Sequence, residues 1–303
     1  MAARLWRSVL GGELAFAVAL AAILAAALSL PAGAALATAL ALSIFVPGAL
    51  VAASFVLAAC AAPGRGASLG YAARALLTEA VEFNLAVLAM AFRRDPLPPA
   101  VDLPAAPVGS PVRPLLLIHG IVCNRGIWRH WLARLQTAGF GPVRAVNLEP
   151  LFADIEIHAA RIARELSALR READGAPVAI IAHSMGGLVA RAALRLVGPQ
   201  SISRIVTIAS PHHGTQMARG FPWSPMQQMR PDSPWLRALN AAQEGQLAAP
   251  LTSIYSLEDN LVVPPRSARL DGAQAHELRG FGHLGLLSSR RAIEHTLAAL
   301  ADA

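Results

Sequence analysis

The stretch Val178-Ala179-Ile180-Ile181-Ala182-His183-Ser184-Met185-Gly186-Gly187-Leu188-Val189 carries the strongest structural signature in the chain. The apolar run before Ser184 predicts a buried strand, and the apolar residues after it recur at helical spacing. A serine on the tight bend between strand and helix is the pattern of a nucleophile elbow, with Ala182 standing where a glycine is usual. The alternative is an ordinary strand, turn and helix in which the serine is only a cap. The start of the helix offers N–H groups and a positive dipole end, which suit a developing negative charge.

Composition excludes several classes of protein. The 303 residues are 55% hydrophobic and 15% charged, and the net charge of +7 comes with no dense basic run interleaved with aromatic residues. Nucleic-acid binding is therefore disfavoured, and attraction to an anionic membrane surface is the better explanation of the charge. Cys60 and Cys123 lie in different regions, and no metal-ligand spacing is present. We expect no disulfide, no metal and no organic cofactor.

The first 66 residues predict a transmembrane hairpin. Residues 14–64 contain no charged residue, and about 20 apolar residues suffice for one membrane span. Pro31-Ala32-Gly33 is a natural turn, so the predicted helices cover residues 14–30 and 34–62. A secretory signal peptide would explain only the first segment. A lipoprotein cleavage box at Cys60 would lie unusually far from the N-terminus.

Residues 67–112 predict an amphipathic helix followed by a linker. Within residues 68–92 a polar stripe and an apolar face are spaced as on one helix, which favours a position in the membrane interface. Residues 95–114 hold seven prolines and predict a semi-rigid linker. With two spans, Arg4, Arg7 and Arg65 share one side, and the positive-inside rule puts the C-terminal domain in the cytoplasm; a third span would put it outside. The stripe is Arg74, Thr78 and Glu82, and the apolar face is Leu77, Val81, Leu85 and Leu88.

Residues 113–303 alternate between strand and helix patterns. Such alternation predicts an α/β domain with a parallel sheet covered by helices on both faces. The predicted strands are residues 115–118, 143–148, 178–182, 205–209, 252–256 and 275–278. The predicted helices are residues 127–138, 155–170, 185–196 and 290–301.

Two further residues complete a candidate catalytic triad with Ser184. A serine hydroxyl needs a base, and the base needs a partner that fixes its tautomer. His283 lies in a glycine-flanked loop between the last strand and the last helix, and Asp259 follows the strand at residues 252–256. The chain order serine, aspartate, histidine is that of α/β-hydrolases. Glu258 is the rival acid, and either carboxylate has a plain alternative as a solvated loop residue.

The backbone N–H groups of Met185 and Ile121 are the predicted oxyanion donors. Met185 directly follows the nucleophile, and Ile121 lies in the loop after the first strand of the domain. Several side chains near these loops are candidates to line the substrate site, although simple packing is the alternative for the histidines. The candidates are His119, Gly120, His183, His212 and Trp223.

Six motifs resemble the bacterial lipase/esterase branch of the α/β-hydrolase superfamily, in particular the compact Bacillus lipases, which also carry alanine in the elbow. They are I-H-G-I at 118–121, A-H-S-M-G-G-L-V-A-R at 182–191, S-P-H-H-G-T at 210–215, I-Y-S-x-E-D-N at 254–260, R-L-D-G-A at 269–273 and G-F-G-H-L-G-L-L at 280–287. The resemblance covers about residues 113–301. It implies an α/β-hydrolase fold with a mostly parallel six-stranded sheet. It also implies Ser184 as nucleophile, Asp259 as acid, His283 as base, and Ile121 and Met185 as oxyanion donors.

The chain departs from the compact lipases at residues 216–246, where it is longer. This segment is either a lid that opens at a lipid interface or an extra helix pair that packs on the sheet and shapes the acyl pocket.

The combined expectation is a serine carboxylester hydrolase anchored in the bacterial inner membrane as a multi-pass protein. Its partners would be the membrane and a lipid or small acyl ester, with no nucleic acid. The oligomeric state and the membrane side of the domain are left open. The alternatives are an acyltransferase or thioesterase that uses the same triad, and a non-catalytic binding protein on a hydrolase fold.

Overall fold

The computed structural model describes residues 1–29, 31–63, 68–92, 113–243 and 247–301. Its N-terminal part consists of three helices that pack against one another: α1 (Ala2–Leu28), α2 (Ala32–Ala61) and α3 (Leu69–Phe92). All three are long and apolar enough to cross a membrane. The predicted hairpin is present as α1 and α2. Most of the predicted proline-rich linker lies outside the described residues.

Six strands form one parallel sheet, as predicted. The order across the sheet is β2-β1-β3-β4-β5-β6, and every neighbouring pair runs parallel. Ser184 follows β3, which lies inside the sheet between β1 and β4. The strands are β1 (Leu115–Ile118), β2 (Val143–Val146), β3 (Val178–His183), β4 (Ile202–Ile208), β5 (Leu251–Ser256) and β6 (Gln274–Leu278).

Helices cover both faces of the sheet and create two cores. In β1, Leu115 and Leu117 join one core and Leu116 and Ile118 join the other, as the two-residue period of a strand requires. Both faces of the sheet are apolar because both are covered. The helices of this domain are α4 (Leu132–Thr137), α5 (Ile155–Glu172), α6 (Met185–Val197), α7 (Ser224–Gln228), α8 (Pro234–Ala241), α9 (Gly285–Ser288) and α10 (Arg290–Ala301).

The predicted continuous helix at residues 127–138 is wrong, because a 3-10 turn (Arg125–His130) precedes the short α4. Two buried indoles account for the break. Trp128 and Trp131 meet edge to face with centroids 5.9 Å apart, and Trp131 Nε1 donates to the Leu287 carbonyl at 2.9 Å. Packing both rings inside the domain overrides the local helical periodicity.

The extra segment at residues 216–246 contains the helix pair α7 and α8, and its last three residues lie outside the described part of the chain. Leu236 and Leu239 of α8 are buried in the core that also holds Met185. This packing matches the second of the two predicted alternatives. Movement of the segment stays a prediction.

Candidate active site

Ser184 stands on a strained bend between β3 and α6. Its φ of 56° and ψ of −128° lie in a region that non-glycine residues rarely adopt, at a cost of about 1–3 kcal/mol. The Ser184 N–H donates to the Ile208 carbonyl at 2.9 Å, which fixes the bend to β4. A Cβ on Gly186 would lie 2.6 Å from the Ile118 carbonyl oxygen, so only glycine lets α6 begin so close to β1. These are the features of a nucleophile elbow.

His283 is hydrogen-bonded to Asp259. The His283 Nδ1 atom lies 3.0 Å and 3.1 Å from the two Asp259 carboxylate oxygens, and both side chains are buried. Asp259 Oδ1 also accepts the N–H groups of Leu261 and Val262 at 2.8 Å and 2.9 Å, which fixes the carboxylate. Because Nδ1 faces the carboxylate, Nε2 is the nitrogen left to serve a nucleophile.

The rival acid Glu258 points elsewhere. Its Oε2 accepts the Gly280 N–H at 2.7 Å, and its Oε1 lies 3.5 Å from Arg279 Nε. Glu258 therefore holds the start of the loop that carries His283, while Asp259 contacts the imidazole itself.

The side chain next to Ser184 connects the elbow to the His283 loop. The rings of His183 and His283 have centroids 4.7 Å apart, and His183 Nε2 lies 3.3 Å from the His283 carbonyl oxygen. His183 is fully buried, and burial lowers its pKa well below the usual value, so the ring is neutral and donates through Nε2. The His183 ring thus connects the backbone of His283 to the elbow at Ser184.

The loop after β1 lies directly against Ser184. A Cβ on Gly120 would lie 2.8 Å from Ser184 Cβ and 3.3 Å from its Oγ, so the loop touches the serine here. Ile121 follows Gly120 in this loop. Met185 is the first residue of α6, and first-turn N–H groups have no acceptor within their own helix. The roles of Ile121 and Met185 as oxyanion donors stay predictions.

Two of the histidines predicted to line the substrate site use both ring nitrogens inside the protein. His119 Nδ1 pairs with the Gly120 carbonyl at 2.8 Å, and His119 Nε2 accepts the Leu148 N–H at 2.9 Å. Burial lowers the pKa of His119 to about 4, so the ring is neutral. His212 contacts Arg191 and Thr207 in the same way. These rings hold loops in place and leave no nitrogen for a substrate.

Trp223 lies in a partly exposed aromatic cluster. Its ring stacks on Phe152 with centroids 4.4 Å apart and on Phe221 with centroids 5.3 Å apart. Its proposed contact with substrate stays a prediction.

One residue that sequence reasoning missed contacts the histidine loop from the acid loop. The Asn260 Oδ1 atom accepts the His283 N–H at 2.9 Å. In the sequence, the one feature that could have singled out Asn260 is its position next to the candidate acid Asp259. Within the described ranges, no group of three or more His, Cys, Asp or Glu side chains is arranged to hold a metal.

Two lipases are among the solved structures to which this fold is similar. A family model described as "PGAP1-like alpha/beta domain" matches residues 150–244, which include the elbow. The Bacillus licheniformis lipase BlEst2 in its mature form superposes with a TM-score of 0.57 at 16% identity, over 65% of this chain and 95% of that one. Aspergillus fumigatus lipase B gives a TM-score of 0.56 at 22% identity, over 63% of this chain and 52% of that one. No curated protein matches the chain.

A phospholipase has the same fold. PlaB of Legionella pneumophila superposes with a TM-score of 0.52 at 13% identity, over 63% of this chain and 60% of that one. The resemblance predicted from the sequence motifs is confirmed by the family match and by these structures. The chain therefore has an α/β-hydrolase fold similar to that of these lipases, preceded by three long apolar helices that indicate membrane association.

Proposed function

We propose that this protein is a membrane-anchored serine carboxylester hydrolase that cleaves lipid-like acyl esters. The observation that carries the proposal is the buried His283–Asp259 pair, joined through His183 to the strained elbow at Ser184. An imidazole oriented by a carboxylate is the base that, together with an elbow serine, activates a hydroxyl as a nucleophile.

The chemistry proceeds through an acyl-enzyme. His283 Nε2 takes the Ser184 proton as Oγ attacks the ester carbonyl carbon, and the N–H groups of Ile121 and Met185 stabilise the negative oxygen. The tetrahedral intermediate collapses, and His283 gives the proton to the departing alcohol oxygen. Water then attacks the acyl-serine with His283 again as base, which releases the carboxylic acid and restores the hydroxyl.

The N-terminal helices support a lipid substrate. Both ends of the α1–α2 hairpin contact the α/β domain: the Trp6 Nε1–H donates to the Val122 carbonyl at 2.8 Å, and the Asn260 side-chain amide donates to Ser54 Oγ at 2.7 Å. A hairpin with both ends on the domain side would cross a membrane twice and leave the site beside the lipid surface. We propose α1 and α2 as the two spans and the bacterial inner membrane as the location.

Active-site labelling tests this proposal. The full-length protein, purified in detergent, is treated with a fluorophosphonate probe, and mass spectrometry then locates the adduct. We expect one adduct, on the peptide that contains Ser184, together with turnover of acyl esters that rises when a lipid interface is added. Labelling elsewhere, or none, would contradict the proposal. If Ser184 is labelled but only thioesters are turned over, the protein is a thioesterase. If it is labelled but turnover requires an alcohol acceptor, the protein is an acyltransferase.

The pH dependence of kcat/KM should show the titration of the His283 imidazole. Burial alone lowers the pKa of His283, but the charge and hydrogen bond of Asp259, with a smaller contribution from Glu79, raise it above the usual 6.5. The protonated ring accepts no proton, so kcat/KM should fall as the pH drops through an apparent pKa above 6.5. The measurement is kcat/KM for one soluble ester from pH 5 to 9, in steps of about half a unit. An acid limb centred below the usual value would contradict the assignment of this base.

Cys60 reports which side of the membrane holds the domain. It is exposed near the end of α2, whereas Cys123 is buried, and these are the two cysteines of the chain. With two spans and the positive-inside rule, Cys60 faces the cytoplasm. A membrane-impermeant maleimide should therefore label it in inverted vesicles and spare it in intact spheroplasts, with Cys60→Ser as the control. The reverse pattern would put the domain outside.

A further inference from the structure

Helix α3 turns its polar side toward the α/β domain. The Arg74 guanidinium lies 4.7 Å from the centre of the Phe281 ring, and Glu82 pairs with Arg129. The opposite, apolar side of the helix is exposed. Thus α3 is fixed to the domain by buried apolar residues, among them Ala86, Val87 and Met90, together with the contacts of Arg74 and Glu82, and its exposed apolar face is free for lipid. The exposed residues are Leu77, Val81, Leu85, Leu88 and Phe92.

Glu79, on the domain-facing side of α3, contacts the backbone that directly follows His283. Its side chain is buried, and its carboxylate accepts the Leu284 N–H at 2.9 Å and 3.1 Å and the Gly285 N–H at 2.8 Å. Burial raises the pKa of Glu79 to about 7, while the N–H groups of Gly285 and Leu284 and the charge of His283 favour the ionised carboxylate. The His283 loop is therefore held by Asn260 at the N–H of His283 and by Glu79 on its C-terminal side.

The space around Glu79 explains a glycine of the loop. A Cβ on Gly282 would lie 2.5 Å from Glu79 Oε2 and 2.7 Å from Glu79 Cβ, so any other residue would displace the loop or the carboxylate. The glycine that precedes His283 thus allows the close approach of α3. The loop and the helix fit each other at the residue next to the base.

The partners of Glu79 differ from those of its neighbour Glu82. Glu82 meets a guanidinium, as a carboxylate used for docking usually does. In the part of the chain that the structure describes, the hydrogen bonds of Glu79 come from main-chain N–H groups, and no arginine forms an ion pair with it. A buried carboxylate without a cation is costly, and hydrophobic residues would dock a helix better. The presence of Glu79 beside the base therefore points to a role in orienting the His283 loop.

The other two helices contact the remaining loops of the site. Trp6 of α1 donates to the Val122 carbonyl in the predicted oxyanion loop, and Asn260 of the acid loop donates to Ser54 of α2. Each of these three loops therefore contacts an N-terminal helix, and the predicted oxyanion loop also contacts α3 through the Asn124 side chain, which donates to the Met90 carbonyl.

We propose that Glu79 is a positioning residue that sets the His283 loop for catalysis, so that the N-terminal helices are part of the catalytic apparatus as well as an anchor. The inference rests on the proposed function, because it takes His283 as the base.

The test compares Glu79→Ala and Glu79→Gln with the matched control Glu82→Ala in the full-length protein. Fluorophosphonate titration counts the active sites, so kcat is expressed per competent site. We expect Glu79→Ala to lower kcat about 10- to 100-fold, with KM within about threefold, because a base displaced by about 1 Å loses that much. Glu79→Gln keeps an acceptor oxygen and should recover much of the rate. Glu82→Ala should lower the Tm and leave kcat per site unchanged.

The pH profile separates positioning from general stability. Asp259, Glu79 and His183 are the titratable groups that face His283, and the Glu79 charge raises the pKa of His283. The acid limb of kcat/KM should therefore move to lower pH in Glu79→Gln and stay in place in Glu82→Ala. Wild-type kcat per site and an unmoved limb in the Glu79 variants would overturn the inference. If Glu79→Ala does not fold, the acid limb of kcat/KM in Glu79→Gln tests the inference by itself. Failure of wild-type protein to react with the probe would instead refute the proposed function.

Discussion

Replacement of Ser184 by alanine should reduce ester hydrolysis by about 10⁴- to 10⁶-fold, because removal of a triad nucleophile leaves only the contribution of binding and the oxyanion hole. Ser184 Oγ is the hydroxyl on the strained bend, touched by the loop at Gly120 and followed by the start of α6. No other group in the proposed mechanism can form the acyl-enzyme. The measurement is the initial rate of p-nitrophenyl ester turnover by purified protein in detergent, corrected for spontaneous hydrolysis.

The fold should survive this substitution. The backbone bond from the Ser184 N–H to the Ile208 carbonyl does not involve the side chain, so alanine keeps the bend. The far-UV spectrum and Tm should therefore be close to those of the wild type. Ser210→Ala is a suitable control, because Ser210 is also a buried serine, close to α6 at Gly187. It should keep turnover within about threefold of wild type, since its loss removes no triad group. Residual activity of Ser184→Ala above one-tenth of wild type would exclude Ser184 as the nucleophile.

The second large effect is expected at Asp259. Asparagine at this position would present an amide to His283 Nδ1 in place of a carboxylate, at a contact of 3.0 Å. An amide can stabilise the wrong tautomer and does not stabilise the imidazolium, and in a triad this costs about 10⁴-fold in kcat. The pKa of His283 should also fall, because the Asp259 charge and hydrogen bond raise it. Both effects are measured as kcat and as the acid limb of kcat/KM.

Glu258→Gln provides the adjacent control. The two carboxylates are neighbours in sequence, but the Glu258 side chain accepts the Gly280 N–H and does not contact the imidazole. Glutamine keeps an acceptor for that N–H, so kcat should change by less than about tenfold and the acid limb should stay in place. If Glu258→Gln instead produced the larger loss, the acid would have to be reassigned.

The elements of the α/β domain follow from local patterns. Period-2 and period-3.6 apolar runs predicted all six strands and the helices that begin at Ile155, Met185 and Arg290. These predictions succeed because β1 to β5 are largely buried and each of these helices presents one apolar stripe, so that the pattern along the chain reports burial. The edge strand β6 is mostly exposed. The same reasoning failed at residues 127–138, where the packing of two indoles against distant elements decides the local conformation.

The sequence by itself determined the strand, turn and helix around Ser184, the order of the three candidate catalytic residues and the apolar hairpin, because spacing along the chain encodes each of them. Only the tertiary structure shows that Asp259 contacts His283 and that Glu258 accepts the Gly280 N–H, since two adjacent loop carboxylates differ in direction and not in composition. The contact between Glu79 and Leu284 joins residues 205 positions apart, and no periodicity encodes such a pair. Within the polar stripe of α3, Glu82 is buried against the domain and pairs with Arg129, whereas Arg74 is exposed, because burial depends on which neighbour the fold brings there.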